Sequence, residues 1–407
     1  WLKRPPLKLL SSTPSTWSAR RHRPLEMPPK KKVTEGHFCD LTEKRGIKIY
    51  YEVSDASSLR KQWAEKEETL FLLLGSTADL RKTTDQQYIN QLVSMFKVIT
   101  YDHRNTGQTT IKDEPCTMED YADDAAALLE AVVPDKLPIY VLGVSFGGMV
   151  AQHLAIRHPH LIKKLVLCCC ATGGEGGSSF PIHEWYAPGM TPEDRVVKKI
   201  FQANTDRTEE WKEKNASGWQ MVYTLLTRDE KVGLEEPLRM EGAMRQLEAR
   251  KAHDTWDQLP GLQMPVLVCG SSKDNISPPE VVKALADRIP NSESKLDFDW
   301  GHPFIAADTA AAPFVNEWLR KDAGSAQIWK IVGGADKGGI LVRTGADASA
   351  PQASERLSTG ALVQEIELKG GERLNYKLLK GTGPAEGWVL IKLPAGKELC
   401  VKTDEKP

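Results

Sequence analysis

Five short apolar runs constrain this chain more than any other feature. They lie at residues 70–74, 96–101, 139–142, 165–167 and 265–269, and they show little polar alternation. A strand with one wet face alternates apolar and polar residues, whereas a strand covered on both faces reads as a near-continuous apolar run. Helical segments lie between the runs. Thr117 as N-cap with Asp120 at the third helical position makes a capping-box-like start for a helix over Met118–Val132. Another helix follows Gly147 and stops near His158-Pro159, where proline blocks continuation. With a further strand at residues 47–53, the pattern predicts a mostly parallel α/β sheet spanning residues 37–323.

Two segments depart from that rhythm. Residues 172–258 carry helical signals only, including the start Thr191-Pro192-Glu193-Asp194 and a long stretch at 236–254. A helical insertion inside such a sheet is expected to be a lid over its functional edge. After residue 323 come short strands at 328–332, 340–343, 362–368, 374–379, 388–393 and 399–402, separated by glycine turns. Residues 327–407 therefore read as a small all-β, barrel-like unit. Its Tyr376 and Trp388 are candidates for exposed aromatics that recruit a protein partner, with simple packing as the competing role.

Composition excludes several classes. Lys+Arg number 54 and Asp+Glu 55, so no positive field draws the chain to nucleic acid. No run approaches the length of a membrane span. Seven cysteines, an odd number, fit reduced thiols and a cytoplasmic location. Residues 1–36 form an expected disordered extension; its first 32 residues hold nine Lys/Arg, one acid and six prolines. Residues 1–26 read as a disordered or untranslated tail, with an organelle transit peptide as the alternative.

The chemistry concentrates at Gly143-Val144-Ser145-Phe146-Gly147, a G-x-S-x-G that follows a buried strand and opens a helix. Such a turn strains the serine and presents its hydroxyl at the carboxyl end of the sheet, near a helix N-terminus. A serine hydroxyl is a weak nucleophile, so it needs a base and the base needs an orienting acid. In this topology the acid and then the histidine follow the serine in the chain. Asp274 sits in the loop after the 265–269 run, and His302 follows Trp300-Gly301. Asp297 and Asp299 are rival acids, placed on strand geometry that suits them less well. Cys168-Cys169-Cys170 point alternately to opposite faces and cannot chelate one ion together, so no metal is expected there. His103, His153 and Asp102 read as structural.

These motifs together resemble the α/β-hydrolase superfamily, and within it the lidded small-molecule hydrolases of the enol-lactonase, aminoacrylate-hydrolase and haloperoxidase-type esterase kind. Residues 101–109, from Tyr101-Asp102-His103-Arg104 to Thr109, resemble the family's D-x-R-G-x-G-x-S loop, with Asn105 in place of glycine. Asp274-Asn275-Ile276-Ser277-Pro278 resembles the acid loop, and Trp300-Gly301-His302 the family's Gly-Gly-His. The resemblance implies a Ser145–His302–Asp274 triad without cofactor, acting on a small-molecule acyl substrate. It also maps two oxyanion donors to the backbone N–H groups of Phe146 and Ser76. The family's His-Gly before the second donor is Leu74-Gly75 here, which removes a loop-ordering histidine. Trp185 and Trp300 are candidate pocket residues. The C-terminal unit resembles an SH3-like barrel through Gly387-Trp388-Val389. A non-catalytic scaffold or ligand sensor on the same fold is the alternative reading.

Overall fold

The computed structural model describes residues 33–55, 68–92, 96–290, 292–321, 328–369, 372–393, 396–403 and 405. The basic, proline-rich residues 1–32 lie outside them. Eight strands form the first sheet: β1 (Val33–Leu41), β2 (Ile47–Asp55), β3 (Thr69–Leu73), β4 (Lys97–Tyr101), β5 (Ile139–Val144), β6 (Ile162–Cys168), β7 (Val266–Ser271) and β8 (Glu293–Phe298). Their order is β1-β2-β4-β3-β5-β6-β7-β8. The pairs from β4 to β8 are parallel, while β1–β2 and β2–β4 are antiparallel.

Every residue of β3, β5 and β7 is buried, because each strand feeds two cores. Phe71, Leu73, Val141, Leu165 and Val268 join the helices Met118–Val132 and Phe146–Arg157 on one face. Leu70, Leu72, Leu142, Val166 and Leu267 face the opposite way, toward the helices Thr83–Leu92 and Ala311–Arg320. Each fully buried side chain of this size contributes about 1.5–3 kcal/mol of transfer free energy, which is why the runs carry few polar residues on either face. The capping box at Thr117 is present, with Asp120 N–H bonded to Thr117 Oγ1 at 3.2 Å.

β1 lies partly inside the stretch expected to be an extension. It pairs along its whole length with β2, from Val33↔Asp55 to Leu41↔Ile47, and turns through Gly46 at φ 73°. It is an edge strand whose Thr34, Glu35, His37 and Phe38 are exposed, so it lacks the apolar run that marked its neighbours.

Between β6 and β7 the chain is helical: Pro192–Gln202, Glu209–Lys214, Ala216–Glu230 and Arg239–Lys251, with short 3₁₀ turns before them. The last helix starts at Arg239 rather than at residue 236, because Leu238 sits at φ 59° and cannot continue a right-handed helix backwards.

The C-terminal strands β9 (Ile328–Ile331), β10 (Ile340–Arg343), β11 (Gln352–Leu357), β12 (Leu362–Lys369), β13 (Arg373–Lys380), β14 (Glu386–Leu390) and β15 (Cys400–Lys402) form a separate antiparallel sheet, in the order β11-β10-β14-β13-β12-β9-β15. Here β11 is new relative to the sequence reading. It is an edge strand with one buried residue, Leu357. Tyr376 corrects an expectation: it is fully buried in this unit's core, and its hydroxyl donates to the Pro384 carbonyl at 3.1 Å. It therefore offers no recruiting surface. Trp388 is half-buried in the middle of β14.

Candidate active site

Ser145 stands at the tip of the β5-to-helix turn with φ 55° and ψ −118°. A non-glycine residue holds such a conformation only when its surroundings enforce it. The glycines on either side are what allow it. A Cβ at Gly143 would meet the Gly147 carbonyl oxygen at 2.4 Å, and one at Gly147 would meet the Leu73 carbonyl oxygen at 2.1 Å. Main chain thus packs directly on main chain, and the serine is pushed out at the sheet's carboxyl edge.

The acid and the base converge beside it. His302 Nδ1 and Asp274 Oδ2 are 2.8 Å apart, and Asp274 is buried. The other carboxylate oxygen accepts the N–H groups of Ile276 at 2.8 Å and Ser277 at 2.9 Å. Three donors therefore fix this carboxylate, and it in turn fixes the imidazole tautomer with Nε2 free to accept a proton. The helical insertion holds the histidine loop from the other side: His302 N–H donates to the Ala203 carbonyl at 2.7 Å. A Cβ at Gly301 would meet that same carbonyl at 2.1 Å, which is why the histidine follows a glycine. Ser145 Oγ makes no hydrogen bond to His302 in this state. The rival acids are elsewhere. Asp297 pairs with Lys295 and Asp299 with Lys273, both with exposed side chains.

Cys169 completes this cluster and was not foreseen. Its sulfur, an Asp274 carboxylate oxygen and a His302 ring nitrogen all lie within 4.8 Å of one another. The residue sits at φ 43°, a second strained position next to the first. Burial, and then the nearby Asp274 charge, push its thiol well above the ordinary range. A neutral thiol is a poor metal ligand, and Asp274 already holds His302. The three consecutive cysteines are buried and do not act as one ligand set.

The candidate oxyanion loop abuts Ser145: a Cβ at Gly75 would lie 3.7 Å from the Ser145 Cβ. The backbone N–H groups of Ser76 and Phe146 find no acceptor among the described residues. Three groups replace the missing loop histidine. Gln246 Oε1, from the insertion, accepts the Thr77 N–H at 2.6 Å. Lys82 Nζ donates to the Thr77 carbonyl at 2.7 Å, and His103 Nε2 lies 3.2 Å from the Leu74 carbonyl. Burial brings the pKa of His103 down to about 4, so the ring is neutral and its Nε2–H is the donor. Gln246 lies far along the chain and carries no local motif, so only the tertiary structure reveals it.

The loop of residues 101–109 explains its own departure from the family pattern. Asn105 takes φ 67°, the left-handed region that glycine normally supplies and asparagine tolerates, and its side-chain oxygen accepts the Lys112 N–H at 2.9 Å. Asp102 accepts N–H groups from Leu80 at 2.8 Å and Gln108 at 2.7 Å, a loop-ordering role. Trp185 is buried in a cluster of Ile182, Ala203 and Leu247 from the insertion and Ile276 from the acid loop. Trp300 is half-buried against the sheet.

The sequence profile of the α/β-hydrolase fold matches residues 83–306, more than half of the chain. The chain belongs to the α/β-hydrolase family. A protein named carbamate hydrolase RutD from Caulobacter sp. (strain K31) is 26% identical over 235 residues, covering 54% of this chain and 78% of that one. A non-heme bromoperoxidase BpoC of Mycobacterium tuberculosis is 25% identical over 217 residues, covering 52% and 78%. Among solved structures, the enol-lactonase from Burkholderia xenovorans LB400 superposes with a TM-score of 0.52 at 20% identity, covering 67% of this chain and 95% of that one. A thermophilic esterase from Thermogutta terrifontis gives 0.53 at 24%, covering 70% and 98%. Those structural likenesses establish the fold. Together with the hydrolase-named relatives, family membership marks this α/β-hydrolase chain as an enzyme of the hydrolase class. No helix of the described residues is long and apolar enough to cross a membrane.

Proposed function

We propose that the protein is a serine hydrolase that cleaves a carboxylic ester, lactone or related acyl bond of a small molecule. The observation that carries this reading is the 2.8 Å contact between His302 Nδ1 and a fully satisfied Asp274, set beside a strained Ser145. In the proposed cycle His302 Nε2 takes the Ser145 proton as Oγ attacks the carbonyl carbon. The tetrahedral oxyanion then receives the N–H groups of Ser76 and Phe146, which have no other acceptor to release. His302 returns the proton to the leaving oxygen, an acyl-Ser145 ester remains, and water repeats the sequence to free the acid. Ser145 must turn its hydroxyl toward His302 on substrate binding, a rotamer change of the kind that ligand-free sites often need.

The helical insertion serves as the lid in this reading. It grips the oxyanion loop through Gln246, and Arg239 reaches the Gly107 carbonyl at 2.7 Å. A cavity of only about 30 Å³, room for one water, lies between the lid and residues such as Thr77 and Asn105. A fluorophosphonate probe tests the proposal. Covalent labelling of the wild type that disappears in Ser145→Ala is expected; equal labelling of both, or none of the wild type, discards it.

A further inference from the structure

His153 lies on the helix Phe146–Arg157 and is 3% exposed. Its tautomer is fixed by a relay that starts at a main-chain oxygen. The Ala171 carbonyl can only accept, and it lies 3.0 Å from His253 Nε2, so that nitrogen carries the hydrogen. Burial lowers the pKa of both rings, that of His253 to about 3, so each holds a single ring hydrogen at neutral pH. His253 Nδ1 is then a bare acceptor, and the hydrogen between it and His153 Nε2, 3.1 Å away, belongs to His153. His153 Nδ1 is left with an unshared lone pair and makes no hydrogen bond among the described residues.

That ring lines a cavity of about 240 Å³ together with residues of the helices Met118–Val132 and Arg239–Lys251. Glu119 Oε1 lies 3.7 Å from His153 Nδ1, so two acceptors face each other with no hydrogen to share. Glu248 lines the same space from the inserted helix, and no lysine or arginine lines it. The Glu248 carboxylate is held by Arg245 at 2.8 Å; Arg245 also holds Asp113 at 2.8 Å and keeps that partner if Glu248 turns inward. Arg157, on the same helix as His153, is paired with Asp123 at 2.8 Å. Cys116 lines the cavity as well, but its sulfur is engaged by the Tyr121 hydroxyl at 3.5 Å and the Asn105 amide at 3.6 Å. The space therefore gathers two carboxylates and a bare imidazole nitrogen with no cation among them.

We infer that Glu119, His153 and Glu248 form a binding site for one zinc-like divalent transition-metal ion, with water completing its shell. An imidazole with carboxylates is a donor set that zinc takes, whereas magnesium and calcium prefer oxygen ligands and would leave the imidazole unused. The relay from His153 through His253 to the Ala171 carbonyl is the outer support such a site needs. A metal-bound histidine hands its other N–H to an acceptor that fixes the ring's tautomer and direction. The site is separate from Ser145, Asp274 and His302. A bound ion would join the inserted helix that carries Gln246 to the helix that begins at Phe146, directly after Ser145.

The test is titration calorimetry on the full chain at pH 7.5 with zinc chloride and, separately, magnesium chloride. Heat from binding needs no turnover, so the result stands whatever reaction Ser145 performs. Zinc is expected to bind the wild type, and Glu119→Gln and Glu248→Gln are each expected to weaken that binding at least about tenfold. Both carboxylates are largely exposed, so neither variant disturbs the core. Magnesium is expected to bind more weakly than zinc. Zinc also reaches thiols, so cobalt chloride serves as a second probe: its complex should show visible d–d bands without thiolate-to-cobalt charge transfer, and Glu119→Gln should lose them. The inference is overturned by no zinc binding to the wild type, by wild-type affinity in either variant, or by magnesium binding as tightly as zinc. A cobalt spectrum dominated by thiolate charge transfer also overturns it, since a cysteine would then be holding the ion.

Discussion

Asp274 and Arg250 are both buried ionisable side chains, and the fold treats them in opposite ways. Asp274 receives three donors: two backbone N–H groups and the His302 ring. Arg250 receives nothing at Nε or Nη2. A charge with a partner on both of its oxygens is held in one place, which is what orienting the proposed catalytic base requires. A charge with unpartnered donors has nothing of that kind to hold it in one place. The difference separates a side chain fixed by its partners from one that the surrounding protein leaves unpaired.

The sharpest way to break the comparison is to spoil the satisfied side. Asp274→Asn keeps acceptors for Ile276 and Ser277 but offers His302 an amide that supports the wrong tautomer. Turnover of short p-nitrophenyl esters should fall about 10⁴-fold with folding intact. A loss below tenfold would show that Asp274 does not orient the base.

A pH titration probes buried groups kept neutral, a third treatment besides pairing a charge and leaving it unpaired. The pKa values of His103 and His253 are depressed by burial to about 4 and about 3. Their contribution to stability is complete above about pH 6.5, where the unfolded rings are also neutral. It is lost as pH falls toward those folded values, because the unfolded state then binds protons that the folded state refuses. His103 alone should account for roughly 3 kcal/mol by pH 4. Urea midpoints at pH 7.5 and 4.5 measure it, and His103→Gln should flatten the slope; an unchanged slope would mean the ring titrates normally.

A smaller effect is expected at the oxyanion loop, where three partial substitutes replace one histidine. Gln246→Ala removes the acceptor of the Thr77 N–H and should lower kcat about tenfold, with KM nearly unchanged. A rise in KM alone would assign Gln246 to substrate binding instead.

The parts of the fold legible in the sequence were those set by short-range chemistry. Strands buried on both faces announced themselves as apolar runs, and the elbow's glycines were placed by steric need within five residues. Two edge strands, β1 and β11, were invisible because their side chains face water and need no pattern. The burial of Tyr376 could not be read either, since a tyrosine suits a rim or a core equally until its hydroxyl finds a partner, here the Pro384 carbonyl. Asn105 was legible as an oddity but its cause was not; the left-handed φ supplies it. Gln246, Cys169 and Arg250 matter through contacts across the insertion or between strands, and nothing adjacent to them in the chain marks them.

The glycine contacts around Ser145 carry one more consequence. The address of the proposed nucleophile is written in main-chain atoms, with Gly143 against Gly147 and Gly147 against the Leu73 carbonyl, rather than in the side chains that would surround a substrate. Residues of the helical insertion can therefore drift, or be redesigned for new molecules, without dislodging the reactive oxygen. Evolvability and chemical reliability are assigned to different atoms of the same protein.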